Sequence, residues 1–154
     1  MITVELLCHR HDLKRLVSSW LLTEWPEWYG SSGPGDLSRD IEAFSASPSA
    51  LPVGLVVFSE DEPVGFGALK QDSIPTHLHL TPWAAAGFVL PAYRRHGIGA
   101  ALLRALVSHA ASLGYPAVYC GTSTASTLLE RSGWHLLEVV IHEDKPLGIY
   151  RSAA

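Results

Sequence analysis

A mixed α/β fold, with helices covering a mixed sheet, is predicted by three features of the chain. Two apolar, β-branched runs at residues 51–59 and 64–71 flank the polar turn Glu60-Asp61-Glu62-Pro63 and read as a hairpin. A small or apolar strand at residues 84–90 passes through the connector 91–96 into a helical pattern from Gly97. A further strand follows at 117–121, which makes a strand-helix-strand crossover. The full order is strand, helix, helix, strand, strand, strand, helix, strand, helix, strand, strand, and its mixture of hairpin and crossovers implies a mixed sheet.

In order, residues 2–7 alternate and include β-branched types, which predicts the first strand. Residues 11–25 place Leu13, Leu16, Val17, Trp20 and Leu21 at helical spacing. Asp12 stands near the start, where an acid suits the helix dipole, and Pro26 ends the helix. Residues 24–29 are dense in aromatics and 30–35 predict a flexible loop. Together they are a candidate acceptor rim, or tryptophans that simply pack under the loop. Asp36 reads as the N-cap of a helix over 37–46, closed by Pro48. Gly65 and Gly67 inside the second hairpin strand predict a bulge or the close approach of another backbone. Residues 72–82 form a loop in which His77, Leu78, His79 and Leu80 alternate as a strand extension. Ile98, Leu102, Leu106, Val107, Ala110 and Leu113 then share one helical face that ends at Gly114. Residues 124–132 form a short helix capped by Gly133, and residues 134–142 and 147–151 close the sheet as a strand pair.

At 154 residues the chain is expected to form one domain over 1–154, large enough to bury a core. Hydrophobic residues make up 47% and charged residues 17%, which excludes a disordered chain. The formal charge of −4, without an extended basic block, argues against a nucleic acid partner and is compatible with a cationic substrate such as an amine. Cys8 and Cys120 are too few and too far apart for a disulfide framework or a zinc site, and read as buried free thiols of a reducing compartment. The N-terminus lacks a basic stretch leading into an apolar run, and no apolar segment approaches the roughly 18 residues that span a bilayer. The expectation is a soluble cytoplasmic protein with no membrane partner.

Gly97 and Gly99 stand where the long helix should start, so the backbone N–H groups there are free of Cβ bulk and suit an anion. A nucleotide P-loop needs Lys followed by Ser or Thr after its glycines, and Ala100, Ala101 and Leu102 follow here. A dinucleotide fingerprint needs a third Gly and a ribose-binding acid about 20 residues on. Leu102 holds the third-Gly position, and no Asp or Glu lies between Asp72 and Glu130. What remains is Arg94-x-x-Gly97-x-Gly99, with an apolar strand and a Pro-x-Tyr-Arg connector before it and a Leu/Ala helix after it. This resembles the coenzyme A pyrophosphate loop of the GNAT acetyltransferase superfamily, whose pattern is Gln/Arg-x-x-Gly-x-Gly/Ala. Residues 125–134 are similar to the superfamily segment Ala-x-x-Leu-Tyr-x-x-x-Gly-Phe, with Trp134 in place of Phe.

The resemblance implies a GNAT-like acyl-CoA N-acyltransferase fold: a central, mostly antiparallel mixed sheet with a splayed strand pair, flanked by about four helices. It places the splay between strands 84–90 and 117–121, filled by the pantetheine arm of the cofactor. The backbones of Phe88, Val89 and Leu90 would bond that arm, and an N–H aimed at the thioester carbonyl would stabilise its developing negative charge. The pyrophosphate would sit on the amides of Arg95, His96, Gly97, Ile98, Gly99 and Ala100, with positive charge added by Arg94, Arg95 and His96. Thr122, Ala125, Ser126 and Leu129 are the implied cofactor contacts of the second segment, with two departures. Thr122 replaces a common Asn, and Leu129 replaces the Tyr proposed in many members to protonate the leaving thiolate. A thiol with a pKa of about 8.5 is a leaving group that water can protonate. Tyr119, Cys120 and Tyr150 are other proton sources, and the general acid stays unassigned.

Many relatives carry a glutamate base on the central strand, where this chain has Ala84-Ala85-Ala86-Gly87. His79 and, after it, His77 lie just upstream, titrate in a useful range and are the candidates for the base. His109 and His135 fall within helix and strand patterns and read as surface or packing residues. The implied activity is direct transfer of the acetyl group of acetyl-CoA to a primary amine of a small molecule, peptide or protein in a ternary complex. It needs no metal, because backbone donors supply the electrophilic stabilisation. The alternative is a GNAT-like module that binds coenzyme A as a sensor or scaffold. Glu24 and Glu27 are acids able to attract a cation, or solvated surface residues. A homodimer through the closing strands or the first loop is an expectation from the family alone.

Overall fold

The computed structural model describes residues 1–152 of the chain. Its seven strands are β1 (Ile2–Leu6), β2 (Val53–Ser59), β3 (Glu62–Lys70), β4 (Trp83–Val89), β5 (Tyr119–Thr122), β6 (His135–His142) and β7 (Lys145–Arg151). They form one sheet in the order β1-β2-β3-β4-β5-β7-β6. Every neighbouring pair is antiparallel except β4 and β5, so the sheet is mixed, as the sequence predicts. The helices are α1 (Lys14–Glu24), α2 (Pro26–Tyr29), α3 (Leu37–Phe44), α4 (Ile98–Ser112) and α5 (Ser126–Arg131). Both hairpins turn on two acidic residues with positive φ, Glu60-Asp61 and Glu143-Asp144. That backbone geometry matches the twist of the strands it joins.

Four local expectations change. Residues His11–Leu13 form a 3-10 turn and α1 begins only at Lys14. Pro26 opens a helix as well as closing one: it has no N–H to lose at the first helical position and starts the single turn of α2, which brings the helices to five. The glycine-rich segment 30–35 is closed on itself rather than loose. The Gly33 N–H donates to Gly30 O at 2.9 Å and the Gly35 N–H to Trp28 O at 2.8 Å. A Cβ on Gly35 would lie 2.5 Å from the Trp28 indole. Residues 72–82 do not extend a strand, because Pro75 starts a 3-10 turn, Pro75–His77. The Asp36 cap is as expected, its carboxylate accepting from the Arg39 N–H at 3.1 Å.

The sheet is covered on both faces. On one, α1 and α3 lay Val17, Trp20, Leu21, Ile41 and Phe44 over Val56, Phe66, Ala68 and Phe88. On the other, Leu102, Leu106, Ala110 and Leu129 of α4 and α5 pack over Val53, Leu55, Leu69, Ala84, Val118 and Tyr150. Full burial of a side chain such as Phe66 contributes about 1.5–3 kcal/mol. Cross-strand partners share a face, and Ala68 pairs with Ala85, so Trp83, two residues away, also points to the α1 side. There Ile74, from the loop before β4, packs on Trp83 and Ile149, while β6 at the sheet edge stays largely exposed. Gly65 and Gly67 mark the predicted close approaches. A Cβ on Gly65 would sit 2.7 Å from the Phe88 carbonyl oxygen, and one on Gly67 3.1 Å from Leu102.

Candidate active site

The site is built on β4. This strand and β5 pair at a single position, Trp83 opposite Tyr119, with the Tyr119 N–H donating to Pro82 O at 3.0 Å. Beyond that point the two strands have no ladder between them. On its other side β4 pairs Ala85 with Ala68 but Phe88 with Phe66, so it carries one residue more than β3 and bulges. The bulge falls on Ala86, whose φ is +55°, and on Gly87, where an added Cβ would meet nothing within 4 Å.

Strand alternation then decides which backbone groups face the gap. The Leu90 N–H donates to Val64 O at 2.8 Å and Phe88 is in register with Phe66, so residues 88 and 90 direct their backbone groups toward β3. Val89, between them, directs its N–H and C=O toward the gap. Of Phe88, Val89 and Leu90, this one residue can bond a guest there. The Phe88 side chain is core, 5.5 Å from Trp20 between ring centroids.

After β4 the chain makes a 3-10 turn, Pro91–Tyr93, and reaches α4 through two left-handed residues, Arg95 (φ +66°) and Gly97 (φ +80°). Among the described residues, none of the backbone N–H groups from 95 to 100 makes a hydrogen bond of normal geometry. The first amide of this helix start to find a backbone acceptor is that of Ala101, on Gly97 O at 3.0 Å. Successive unpaired amides around left-handed residues form a concave nest for an anion. An added Cβ at Gly97 would meet no atom within 4 Å, so packing within the chain does not demand glycine there. The backbone angle does. Arg95 and His96 are exposed beside the nest. Arg94 turns back, its Nε donating to Val89 O at 2.9 Å.

The neighbouring helix α5 completes the mouth. A Cβ on Gly99 would lie 3.1 Å from Leu128, so Leu128 borders the nest, while Leu129 is 1% exposed and belongs to the core. The Thr122 hydroxyl accepts the N–H groups of Thr124 (3.1 Å) and Ala125 (2.9 Å), which sets the chain into α5 where Ser126 begins. Tyr150 is buried and donates its hydroxyl to Glu130 at 3.1 Å, so it anchors α5; burial and that carboxylate raise its pKa. Burial pushes the Cys120 thiol up to about 11 and keeps it protonated at neutral pH. As a weaker acid than an ordinary thiol, it is a poor proton donor to a leaving thiolate and a poor nucleophile.

The two candidate histidines differ. His77 is buried, with Nδ1 bonded to Thr76 Oγ1 at 2.7 Å and Nε2 to Glu138 Oε1 at 2.5 Å. Both of its nitrogens are occupied, tying the loop to β6. His79 is exposed and stacks on it, 5.7 Å between centroids. A hollow of about 400 Å³ lined by His11, Asp12, Lys14, Arg15 and Glu42 lies at the start of α1 and involves none of these groups. Among the described residues no cluster of His, Cys, Asp and Glu could hold a metal, and no helix is long and apolar enough to cross a membrane.

The family model for the acetyltransferase (GNAT) family matches residues 15–131. The chain belongs to this family. No curated protein matches it in sequence. An aminoglycoside 6'-N-acetyltransferase solved with coenzyme A is 19% identical, with a TM-score of 0.76 over 99% of this chain and 96% of that one. An aminoglycoside 6'-acetyltransferase type Ii is 22% identical at a TM-score of 0.75, over 99% and 96%. A chimera of the spermidine N-acetyltransferase SpeG from Vibrio cholerae with hSSAT is 13% identical at a TM-score of 0.72, over 98% and 94%.

As a GNAT acetyltransferase, the protein uses acetyl-CoA as its acetyl donor. Its own structure fits that cofactor on two counts: the unpaired amides of the nest, and a sheet whose two central strands leave a slot that one backbone position, Val89, faces. Sequence reasoning missed the bulge at Ala86, the role of Leu128 at the mouth and the contact of Arg94 with Val89. The three small residues before Gly87 were the available signal for the bulge, since a strand that must kink and leave space tends to be light.

Proposed function

We propose that this acetyltransferase transfers the acetyl group of acetyl-CoA directly to a primary amine of a cationic small molecule or a peptide, within a ternary complex. The observation that carries the reading is the row of unpaired amides at 95–100, reached directly from the strand whose Val89 backbone faces the slot. Acetyl-CoA supplies an activated thioester acyl group, and the residues of the chain bind, orient and manage protons around it. The nest, the charge of Arg95 and the ring N–H of His96 hold the diphosphate, Leu128 borders it, and the Val89 backbone aligns the arm. His79, exposed in the loop that leads into β4, takes the proton of the incoming ammonium, while His77, locked between Thr76 and Glu138, supports the ring stacked on it. Water protonates the departing thiolate, since Tyr150 is engaged with Glu130 and Cys120 is too weak an acid.

A cationic acceptor is supported by Glu24 and Glu27 at the junction of α1 and α2, beside Trp25 and Trp28. Acids and aromatic faces together suit an ammonium group. The named substrates of the similar structures, an aminoglycoside and spermidine, are of that chemical class. The test is acceptor-dependent release of the coenzyme A thiol across polyamines, aminoglycosides, lysine and peptide N-termini. Release with at least one cationic amine is the expected result. Binding of acetyl-CoA without release on any amine would favour the sensor reading instead.

A further inference from the structure

Arg94 makes three contacts that the phosphate nest does not require. Its Nε donates to Val89 O at 2.9 Å, its Nη2 lies 3.7 Å from the Glu24 carboxylate, and its guanidinium carbon stands 5.9 Å from the centre of the Phe88 ring. The Val89 carbonyl is the one that alternation directs into the slot between β4 and β5. Arg94 therefore occupies, in the free protein, the backbone acceptor that faces a guest, and it fastens the last residue of α1 to that place. Glu24, the last residue of α1, immediately precedes Trp25-Pro26-Glu27-Trp28.

We infer that Arg94 is a coupling residue: it neutralises Glu24 while the slot is empty and releases it when coenzyme A enters, making Glu24 the seat of the acceptor's ammonium group. The inference rests on the reading that the slot and the amides 95–100 take coenzyme A. Three physical points carry it. First, a guest bonded to Val89 O draws on the same carbonyl as the guanidinium, which weakens the hold of Val89 on Arg94. Second, the Arg94–Glu24 pair is easily given up, since both side chains are well exposed (49% and 39%) and 3.7 Å is a loose contact. Third, the displaced guanidinium has a stronger partner at hand. The nest begins at the next residue, and Arg pairs with phosphate through charge-assisted, bidentate hydrogen bonds. Glu24 is then left as an exposed carboxylate without its cation, at the end of α1 and next in sequence to Trp25. The pairing also specifies the acceptor: a cation gains from the exchange and a neutral amine does not.

The test measures binding, with free coenzyme A so that no turnover intervenes. Spermidine is the acceptor probe, titrated by calorimetry into wild type, Arg94→Ala and Glu24→Gln, each checked for folding by circular dichroism, with and without saturating coenzyme A. Wild type should bind spermidine up to about fivefold more tightly when coenzyme A is present, the worth of one exposed ion pair. By thermodynamic reciprocity, spermidine should tighten coenzyme A by the same factor. Arg94→Ala should bind spermidine without coenzyme A about as well as wild type does with it, and the coupling should vanish. Glu24→Gln should bind coenzyme A normally and spermidine weakly in both states. Coenzyme A binding that leaves spermidine affinity unchanged in wild type, or coupling that persists in Arg94→Ala, overturns this inference while leaving the cofactor site intact. Absence of spermidine binding in every state overturns the assignment of Glu24. Failure of wild type to bind coenzyme A overturns the cofactor reading itself.

Discussion

Replacing Gly97 with Glu separates the two reasons for a glycine in the nest. The residue has φ +80° and an added Cβ would find open space, so the cost to the free protein is that of a left-handed non-glycine residue, about 1–2 kcal/mol. For a chain of this size that lowers the melting temperature by about 2–8 °C. The cost to the complex is larger. A carboxylate about 4 Å from a phosphate, at an effective dielectric constant of about 20, is opposed by about 4 kcal/mol before salt screening. At about 1.4 kcal/mol per tenfold, the expected loss of acetyl-CoA affinity is roughly 10²- to 10³-fold. Gly97→Asn is the control, because Asn tolerates the left-handed region and adds no charge; it should lose far less. Calorimetric titration with acetyl-CoA reads affinity and circular dichroism reads the fold. A folded Gly97→Glu protein with wild-type affinity would refute the placement of the pyrophosphate on these amides.

Three further outcomes follow from the geometry. Gly65→Ala should destabilise the protein by about 1–3 kcal/mol in urea denaturation, because its Cβ would press on the Phe88 carbonyl oxygen 2.7 Å away, a backbone atom that cannot swing aside. Cys120 should resist a thiol reagent at neutral pH. Its pKa is higher folded, about 11, than unfolded, about 9, so the stability it contributes is complete below pH 9 and lost as pH rises through 11. Cys120→Ser should remove that alkaline component, and rapid labelling of native Cys120 at pH 7 would contradict the burial argument. His79→Ala should lower kcat with little change in acetyl-CoA affinity, read by steady-state kinetics and calorimetric titration. A variant that keeps the wild-type kcat removes His79 from the proton path.

The sequence was most informative where backbone demands are strict. Gly97 marked the nest because few residues allow a left-handed turn with open amides, and the apolar periodicity of α4 and the hairpin strands survived intact. It was least informative where a prediction depended on a partner distant in sequence. Alternation suggested that His77 and His79 share one face, but Pro75 bends the loop, and Glu138, 61 residues away, draws His77 into the protein. Leu129 stands where the similar segment has Tyr, yet the core around Trp134 and Tyr150 takes it in. Which of residues 88, 89 and 90 faces the slot depends on pairing register, and a one-residue bulge reverses that assignment without altering composition.

The single Trp83–Tyr119 pairing has a mechanical meaning. Strands β1 to β4 form one hydrogen-bonded plate and β5, β7 and β6 another, and the two plates are joined along the sheet at that one point. A ligand lying in the wedge and bonded to Val89 would act as an intervening strand beyond the Trp83–Tyr119 pairing. Cofactor binding then stiffens the junction, and amides of β5 and the outer half of β4 should exchange with solvent more slowly in the loaded enzyme than in the free one.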